Sequence, residues 1–448
     1  MRVVVCTVVH HPEDARILHR QIRALLEAGH QVTYLAPAGA CGSLLASRAS
    51  GTTPAPRASG TTPASRASGT TLVSRASGTT LVSRASGTTP APRASGTTID
   101  WPGLAVADVP RAIGRRRAAA LRGARRRLAR HLPGSDLLLI HDPELLLVLP
   151  FLRRRPPAVW DVHEDTAAAL STKAWLPRAA RPAVAAAVRA AELIAERRLH
   201  LILAEHGYAS RFRRAHPVVQ NTTYVPAAVA EPGTESKVVY IGHLSPDRGA
   251  AELAEAGALL RPHGITVEII GPADRAARAV LERAQAAGAV RWHGFVPNDR
   301  AVRMADGALA GLSLLHDEPN FRHSLPTKVA EYMAHGVPVV TSPLPVAADL
   351  VERHGCGLVV PFGDAQAVAG AVLRLRADPA LRAELGRRGH QAARQVLGWP
   401  AEARAFVAQL EQWAGAARPV AEKKEIKPDV ITPGAAAAEK QQISLFTN

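Results

Sequence analysis

The stretch HSLPTKVAEYMAHGVPVV, residues 323–340, reads as a loop, a short helix and a core strand in immediate succession. Pro326 suits the first helical position, Gly336 suits the left-handed residue just past a helix end, and VPVVT is apolar enough to be a buried parallel strand. Glu331 is the residue that needs an explanation. It lies three and four positions after Lys328 and Thr327, so the three share one face near the helix start, where free N–H groups and the helix dipole favour an anion. A solvated surface pair between Lys328 and Glu331 accounts for the same spacing.

Outward from this block the chain keeps a βα rhythm. Its start, MRVVVCTVVHHPEDARILHRQIRALLEAGHQVTYLAP, predicts a strand, a helix with Ile17, Ile22, Leu25 and Leu26 on one side, and a second strand. The rhythm resumes in DLLLIHDPELLLVLPFL and AVWDVHED, passes a helical stretch at 177–198, and reaches LHLILAEHGYASRF and the strand-like HPVVQN. Residues 222–236 read as a linker. A second series follows: KVVYIGHLSPDRG, GITVEIIGP, VRWHGFVP, GALAGLSLL and the opening block, closed by a helical run from 364 to 416. The fold class is therefore α/β, with two doubly wound Rossmann-like domains facing across a crevice, where ligands sit at the carboxyl ends of strands. The expected division is an N-terminal domain 1–221, a linker 222–236, a C-terminal domain 237–397, a helix 398–416 returning to the first domain, and a flexible tail 417–448.

Six copies of RASGTT begin at Arg48, Arg57, Arg66, Arg75, Arg84 and Arg93. This nine-residue period over 48–98 has no recurring apolar position, so it predicts a disordered insertion rather than a structural repeat, with a short β-solenoid as the alternative. The three cysteines, Cys6, Cys41 and Cys356, are widely spaced, which argues against a disulfide framework or zinc cluster and fits a reducing cytoplasm. No apolar run is long enough to span a bilayer, and the start lacks a cleavable signal pattern.

The formal net charge is +17, and lysine supplies only seven of the 55 basic residues. Arginine is densest in RAIGRRRAAALRGARRRLAR, residues 111–130. Read as a helix, it places Ala112, Ile113, Leu121, Ala124 and Leu128 inward and Arg115, Arg116, Arg122, Arg126 and Arg130 outward. An anionic membrane surface is the partner this predicts, at the inner face of the plasma membrane. Specific nucleic-acid binding is not expected, because interleaved aromatics are missing. The tail's QISLF, 442–446, resembles a clamp-docking peptide of bacterial proteins, a match too short to carry an assignment.

The second half resembles the glycosyltransferase family 4 enzymes of the GT-B fold. The residues that carry the likeness are an ordered set: YIGHLSPDRG with Gly242, Arg248 and Gly249, then IIGP, HGFVP and SLPTKVAEYMAHGVPVVTS. The likeness covers residues 1–36 and about 99–416. It implies a retaining, metal-independent transfer of sugar from a nucleoside-diphosphate-sugar donor to a hydroxyl on a glycan or lipid-linked acceptor, in cell-envelope polysaccharide, glycolipid or glycoconjugate biosynthesis, with no cofactor. Charge developing on the departing diphosphate must then meet cations already in place. The resemblance implies that Arg248 and Lys328 meet the diphosphate and Glu331 the ribose hydroxyls. Phe295 and Val296 would meet the base, with Gly242, His243, His323, Ser324 and Leu325 also on the donor side. In WDVHED it places His163 near the anomeric carbon.

On the acceptor side the likeness points to Asp14, Arg16, His141, Asp142 and Asp165; Glu164 and Asp165 are candidate acceptor-side bases, Asp165 being equally a helix cap before TAAAL. Two positions depart from the family pattern. His323 stands where a donor-contacting glutamate is usual, with Asp317 and Glu318 nearby as substitutes, and His243 replaces a usual Arg or Lys. These leave two alternatives, a catalytically weak or silent GT-B binding protein and a GT-B nucleotide-sugar epimerase. The epimerase would need paired carboxylates, which the sequence does not show.

Overall fold

The computed structural model describes residues 1–37, 101–171, 177–230, 233 and 236–416, with the Arg115 and Ser171 side chains and that of residue 416 outside the description. The RASGTT repeats and the tail, QISLF included, lie outside the described residues. So do most of the expected linker positions 231–235.

Two six-stranded parallel sheets carry the chain. The first comprises β1 (Arg2–Cys6), β2 (Gln31–Ala36), β3 (Leu104–Asp108), β4 (Leu137–Ile140), β5 (Ala158–Val162) and β6 (His200–Leu203), in the order β3-β2-β1-β4-β5-β6. The second comprises β7 (Lys237–Ile241), β8 (Thr266–Ile270), β9 (Val290–Gly294), β10 (Ala310–Ser313), β11 (Val339–Thr341) and β12 (Gly357–Val359), in the order β12-β11-β10-β7-β8-β9. In each sheet the order reverses beside the first strand, between β1 and β4 and between β7 and β10. Helices cross in opposite directions there, which opens a crevice at the carboxyl ends of the strands.

The central strands are continuous apolar runs because both faces are covered. Val3, Val5 and Leu139 pack to one side of the first sheet, and Val4, Cys6 and Ile140 to the other. The last helix, Trp399–Ala416, packs on the first half, where Trp399, Phe406 and Leu410 join the core of Val3, Ile17, Ile22 and Leu25.

Several local expectations change. Strand β3 has no counterpart in the sequence reading. It pairs with β2 through Val32↔Leu104 to Ala36↔Asp108, and as a half-buried edge strand it lacks a continuous apolar run. HPVVQN is no strand, since only Val218 forms a single bridge to Leu203. Pro326 caps the helix Thr327–Ala334 from outside, with ψ 120°, instead of opening it, while Gly336 does adopt the left-handed conformation, φ 65°. In the arginine-rich segment the helix proper is Arg117–His131. Its buried side is Ala120, Ala124 and Leu128, and Ile113, expected inward, is 57% exposed.

Candidate active site

A crevice of about 740 Å³ lies between the two sheets, lined from the first half by His10, His11, Asp14, Arg16, Arg20 and His163. From the second half come Gly242, His243, Arg248, Gly271, Phe295 and Asn298, together with Val296 and Thr327. Its floor depends on glycine. Gly242 has φ 120° and Gly271 φ 148°, and a Cβ on Gly271 would lie 2.0 Å from the Gly242 carbonyl oxygen.

Lys328 and Glu331 stand just behind this lining. Both are buried, 6% and 4% exposed, so they are not a solvated pair. Lys328 Nζ lies 4.5 Å from the centre of the Tyr240 ring and donates to the Tyr240 hydroxyl at 3.4 Å. Burial, and then the charge of Arg248, lower its pKa to about 7. The lysine is thus stored half-neutral beneath Gly242, whose missing Cβ would be 3.7 Å from Lys328 Cε. An anion arriving over Gly242 would restore its charge. Arg248 lines the crevice, with its guanidinium 5.4 Å from the Phe321 ring.

Glu331 Oε1 accepts from Asn298 Nδ2 at 2.9 Å and from Arg20 Nη2 at 3.2 Å. Arg20 comes from the opposite half, in a wide π-type turn Ile17–Ile22, so this ion pair bridges the domains. Two further contacts bridge them. His11 lies against Phe295 with ring centres 4.2 Å apart, and the Leu325 N–H donates to Glu205 Oε1 at 3.3 Å. Burial pushes the Glu205 carboxyl up to about 7.

The first-half wall is a charge network around two histidines. His10 Nε2 lies 2.8 Å from His163 Nε2 and 3.3 Å from Asp142 Oδ1, and His10 Nδ1 lies 3.6 Å from Asp14 Oδ2. Burial opposes a charge on His10, but Asp14 and Asp142 outweigh it and raise its pKa to about 10. His10 therefore donates to His163. Burial, followed by the His10 charge, lowers the His163 pKa. With Nε2 accepting, neutral His163 carries its proton on Nδ1 and donates to the Asp161 carbonyl at 3.1 Å.

Asp142 is fixed by the Thr7 hydroxyl at 2.9 Å and by the Val8 and Val9 amides. Asp161 is fully buried. Arg16 grips it with Nε and Nη2, each at 2.7 Å, Gln21 donates at 3.0 Å, and His141 Nδ1 lies 3.2 Å away. Burial would raise its pKa, and Arg16 instead holds it well below the usual range.

The expected residues thus divide. Asp14, Arg16, His163, Gly242, His243, Arg248, Phe295 and Val296 line one crevice, while His141 and Asp142 support it from behind. Asp165 does not take part. Its carboxylate accepts from the Ala168 amide at 2.9 Å as a helix cap and is gripped by Arg189. His323, Ser324 and Leu325 form the approach to the Lys328 helix. His323 is exposed and packs against the other half, where a Cβ on Gly207 would meet its Cβ at 3.0 Å. Asp317 is exposed and paired with Arg322 at 2.7 Å, so it is no substitute for the usual glutamate.

The stretch HHPEDAR, residues 10–16, resembles family stretches at the crevice, and the structure puts His10 and His11 there with roles the sequence leaves open; the sequence does not single out Arg20, Asp161, Glu205, Tyr240 and Asn298. One signal was available, an aspartate inside the apolar strand VWDV, which must be paired to be buried. The ligand atoms of His10, His163 and Glu164, and those of His141, Asp161 and His163, lie within 4.8 Å of one another. Neither set suits a cation, because His10 is held protonated and Asp161 is saturated by Arg16 and Gln21.

Residues 235–378 match the family model "Glycosyl transferases group 1". The amylovoran biosynthesis glycosyltransferase AmsK of Erwinia amylovora is 32% identical over 146 residues, 31% of this chain and 35% of that protein. The chain thus spans little more than a third of the length of the curated relatives it matches. In structure it is similar to sucrose-phosphate synthase from Thermosynechococcus elongatus, with TM-score 0.63, 17% identity, and coverage of 93% of this chain and 99% of that one. It is also similar to Anabaena HepE in complex with UDP-glucose, with TM-score 0.58, 14% identity, and coverage of 92% and 100%. The second half thus matches the glycosyl transferases group 1 model over residues 235–378, and the two halves together have the GT-B fold.

Proposed function

We propose that the chain is a glycosyltransferase that moves a sugar from a nucleoside-diphosphate-sugar to a hydroxyl acceptor in polysaccharide or glycoconjugate assembly. One observation carries the reading: a single crevice sets Arg248, with the half-neutral Lys328 just beneath the Gly242 floor, against a neutral histidine on the opposite wall. Arg248 and Lys328 neutralise the charge that develops on the leaving diphosphate, which makes a metal unnecessary. Glu331 accepts from the ribose hydroxyls, exchanging Arg20 and Asn298 for them, and Phe295 with Val296 flanks the base. His163 borders the sugar, and His10, Asp14, Arg16, His141 and Asp142 set its orientation and protonation.

Retention at the anomeric carbon is the outcome the family resemblance implies; the exposed Glu164 carboxylate, which lines the crevice within 4.8 Å of His163, is the group that would act as base in an inverting transfer instead. The match to AmsK and the UDP-glucose held by HepE support the substrate class. A catalytically weak binding protein is the second reading, favoured by His323 lying exposed where a donor-contacting carboxylate is usual. A thermal-shift panel of nucleoside diphosphates and their sugars, with and without EDTA, tests donor binding and metal independence together. Proton NMR of the product then reads the anomeric configuration. A shift unaffected by EDTA and a retained anomer support the proposal; donor binding without turnover leaves the weak-binding reading.

A further inference from the structure

The first half carries an apolar surface that the crevice does not use. After β4 the segment Pro143–Phe151 leaves Leu147 and Phe151 each 66% exposed. Two shallow grooves, about 350 and 410 Å³, meet at Leu147. One runs between Phe151 and Leu121 past Arg122, Arg125 and Arg126; the other runs past exposed Ile194 to Arg155 and Arg198. No acidic side chain lines either groove, and among the described residues none of these five arginines forms an ion pair.

The segment is tied at its start to the loop that forms one wall of the crevice. Asp142, where the segment begins, anchors Val8 and Val9, while Arg111 lines the crevice and donates to the Val9 carbonyl at 3.0 Å.

Large exposed apolar side chains ringed by unpaired arginines need a partner that is apolar at its centre and anionic at its rim. A nucleic acid would meet the charge but leave Leu147 and Ile194 in water. An anionic bilayer meets both: apolar tips enter the headgroup boundary and guanidiniums reach lipid phosphates. We propose that this face docks on an anionic phospholipid bilayer, with Leu147 and Phe151 inserted at headgroup level and Arg122, Arg125 and Arg126 on the phosphates. The docking stands on this surface alone and not on the donor chemistry, but it would present the acceptor wall of the crevice to a lipid-linked hydroxyl. Leu147 and Phe151 thus add an apolar contact to the arginine contact that helix 111–130 was expected to make.

The test is flotation of the full chain with vesicles of phosphatidylcholine alone or of equal parts phosphatidylcholine and phosphatidylglycerol. The expected result is partition onto the anionic vesicles only, released by salt. R122Q/R125Q/R126Q should lower it about a hundredfold, at roughly fivefold per charge, and L147S/F151S about tenfold or more, counting the apolar surface lost. Both variants should keep the wild-type melting profile and any nucleotide-induced thermal shift, so failure of docking and failure of the donor reading are separable. Equal partition onto both vesicle types, none at low salt, or wild-type partition by both variants overturns the proposal. So does capture of a random duplex oligonucleotide without vesicle binding.

Discussion

Replacing Lys328 by Met tests whether the buried lysine is a diphosphate ligand, because its low pKa fixes how nucleotide affinity must vary with pH. Burial and Arg248 hold the free lysine at about 7, against an ordinary value of 10.5. If a bound diphosphate restores the charge, binding takes up one proton above pH 7. Each further pH unit then costs about 1.4 kcal/mol, or roughly tenfold in affinity, so UDP binding falls roughly a hundredfold between about pH 7 and 9.

The nucleotide's terminal phosphate titrates near 6, below this window. Within the window His10, at about 10, stays charged, and Tyr240, pushed up to about 12, stays neutral. Glu205, at about 7, ionises at its lower edge but faces the Leu325 amide. Lys328→Met should bind UDP weakly and without the slope, as measured by isothermal titration across this range. A flat wild-type profile, or the same slope in the variant, would refute the reasoning. The same shift has a stability consequence of opposite sense to a salt bridge. The unfolded lysine holds its proton between about 7 and 10.5 while the folded one does not, so stability of the free protein rises with pH across that window.

Asp161→Asn removes the bidentate partner of buried Arg16, and an uncompensated buried guanidinium should cost about 3–5 kcal/mol in urea unfolding; a loss under about 1 kcal/mol would mean Arg16 finds water. Gly271→Ala places a methyl 2.0 Å from the Gly242 carbonyl, so nucleotide-induced stabilisation should vanish and stability fall by at least about 2 kcal/mol, and unchanged binding would show the floor to be pliable. Deleting residues 48–92 should change stability by about 1 kcal/mol or less and preserve nucleotide binding if the repeats, which carry no recurring apolar position, act as the polar insertion their sequence predicts, with little closure cost; a large loss of melting temperature would favour the solenoid.

The sequence made the sheets readable where strands are buried on both faces. VVVC, LLLI and KVVYI are continuous apolar runs, and each ends at a crevice loop whose chemistry-bearing residues follow at once: Thr7 to Arg16, His141 and Asp142, then Gly242 to Arg248. Strand β3 escaped because, at the sheet edge, none of its five residues is fully buried and Asp108 breaks its pattern. The site was legible as residue types but not as pairings. Arg20 lies 311 positions from Glu331, and no spacing rule relates them, so the carboxylate could not be distinguished from one end of a surface pair with Lys328. Burial of both residues is a tertiary fact, set by the first half closing over the helix Thr327–Ala334. Asp165 went the other way, since its cap position was visible in DTAAAL and the structure adds only Arg189.

The central claim is that Arg248 and its neighbours hold the diphosphate of a sugar donor that the chain turns over. Release of nucleoside diphosphate from a panel of nucleotide-sugars, followed for the wild type and for folded Arg248→Ala, tests it most directly. The account predicts release from one donor class by the wild type and a loss of about 10² or more in the variant, the scale of removing one preorganised charge contact from a transition state. No release by the wild type from any donor, or equal release by the variant, would contradict it.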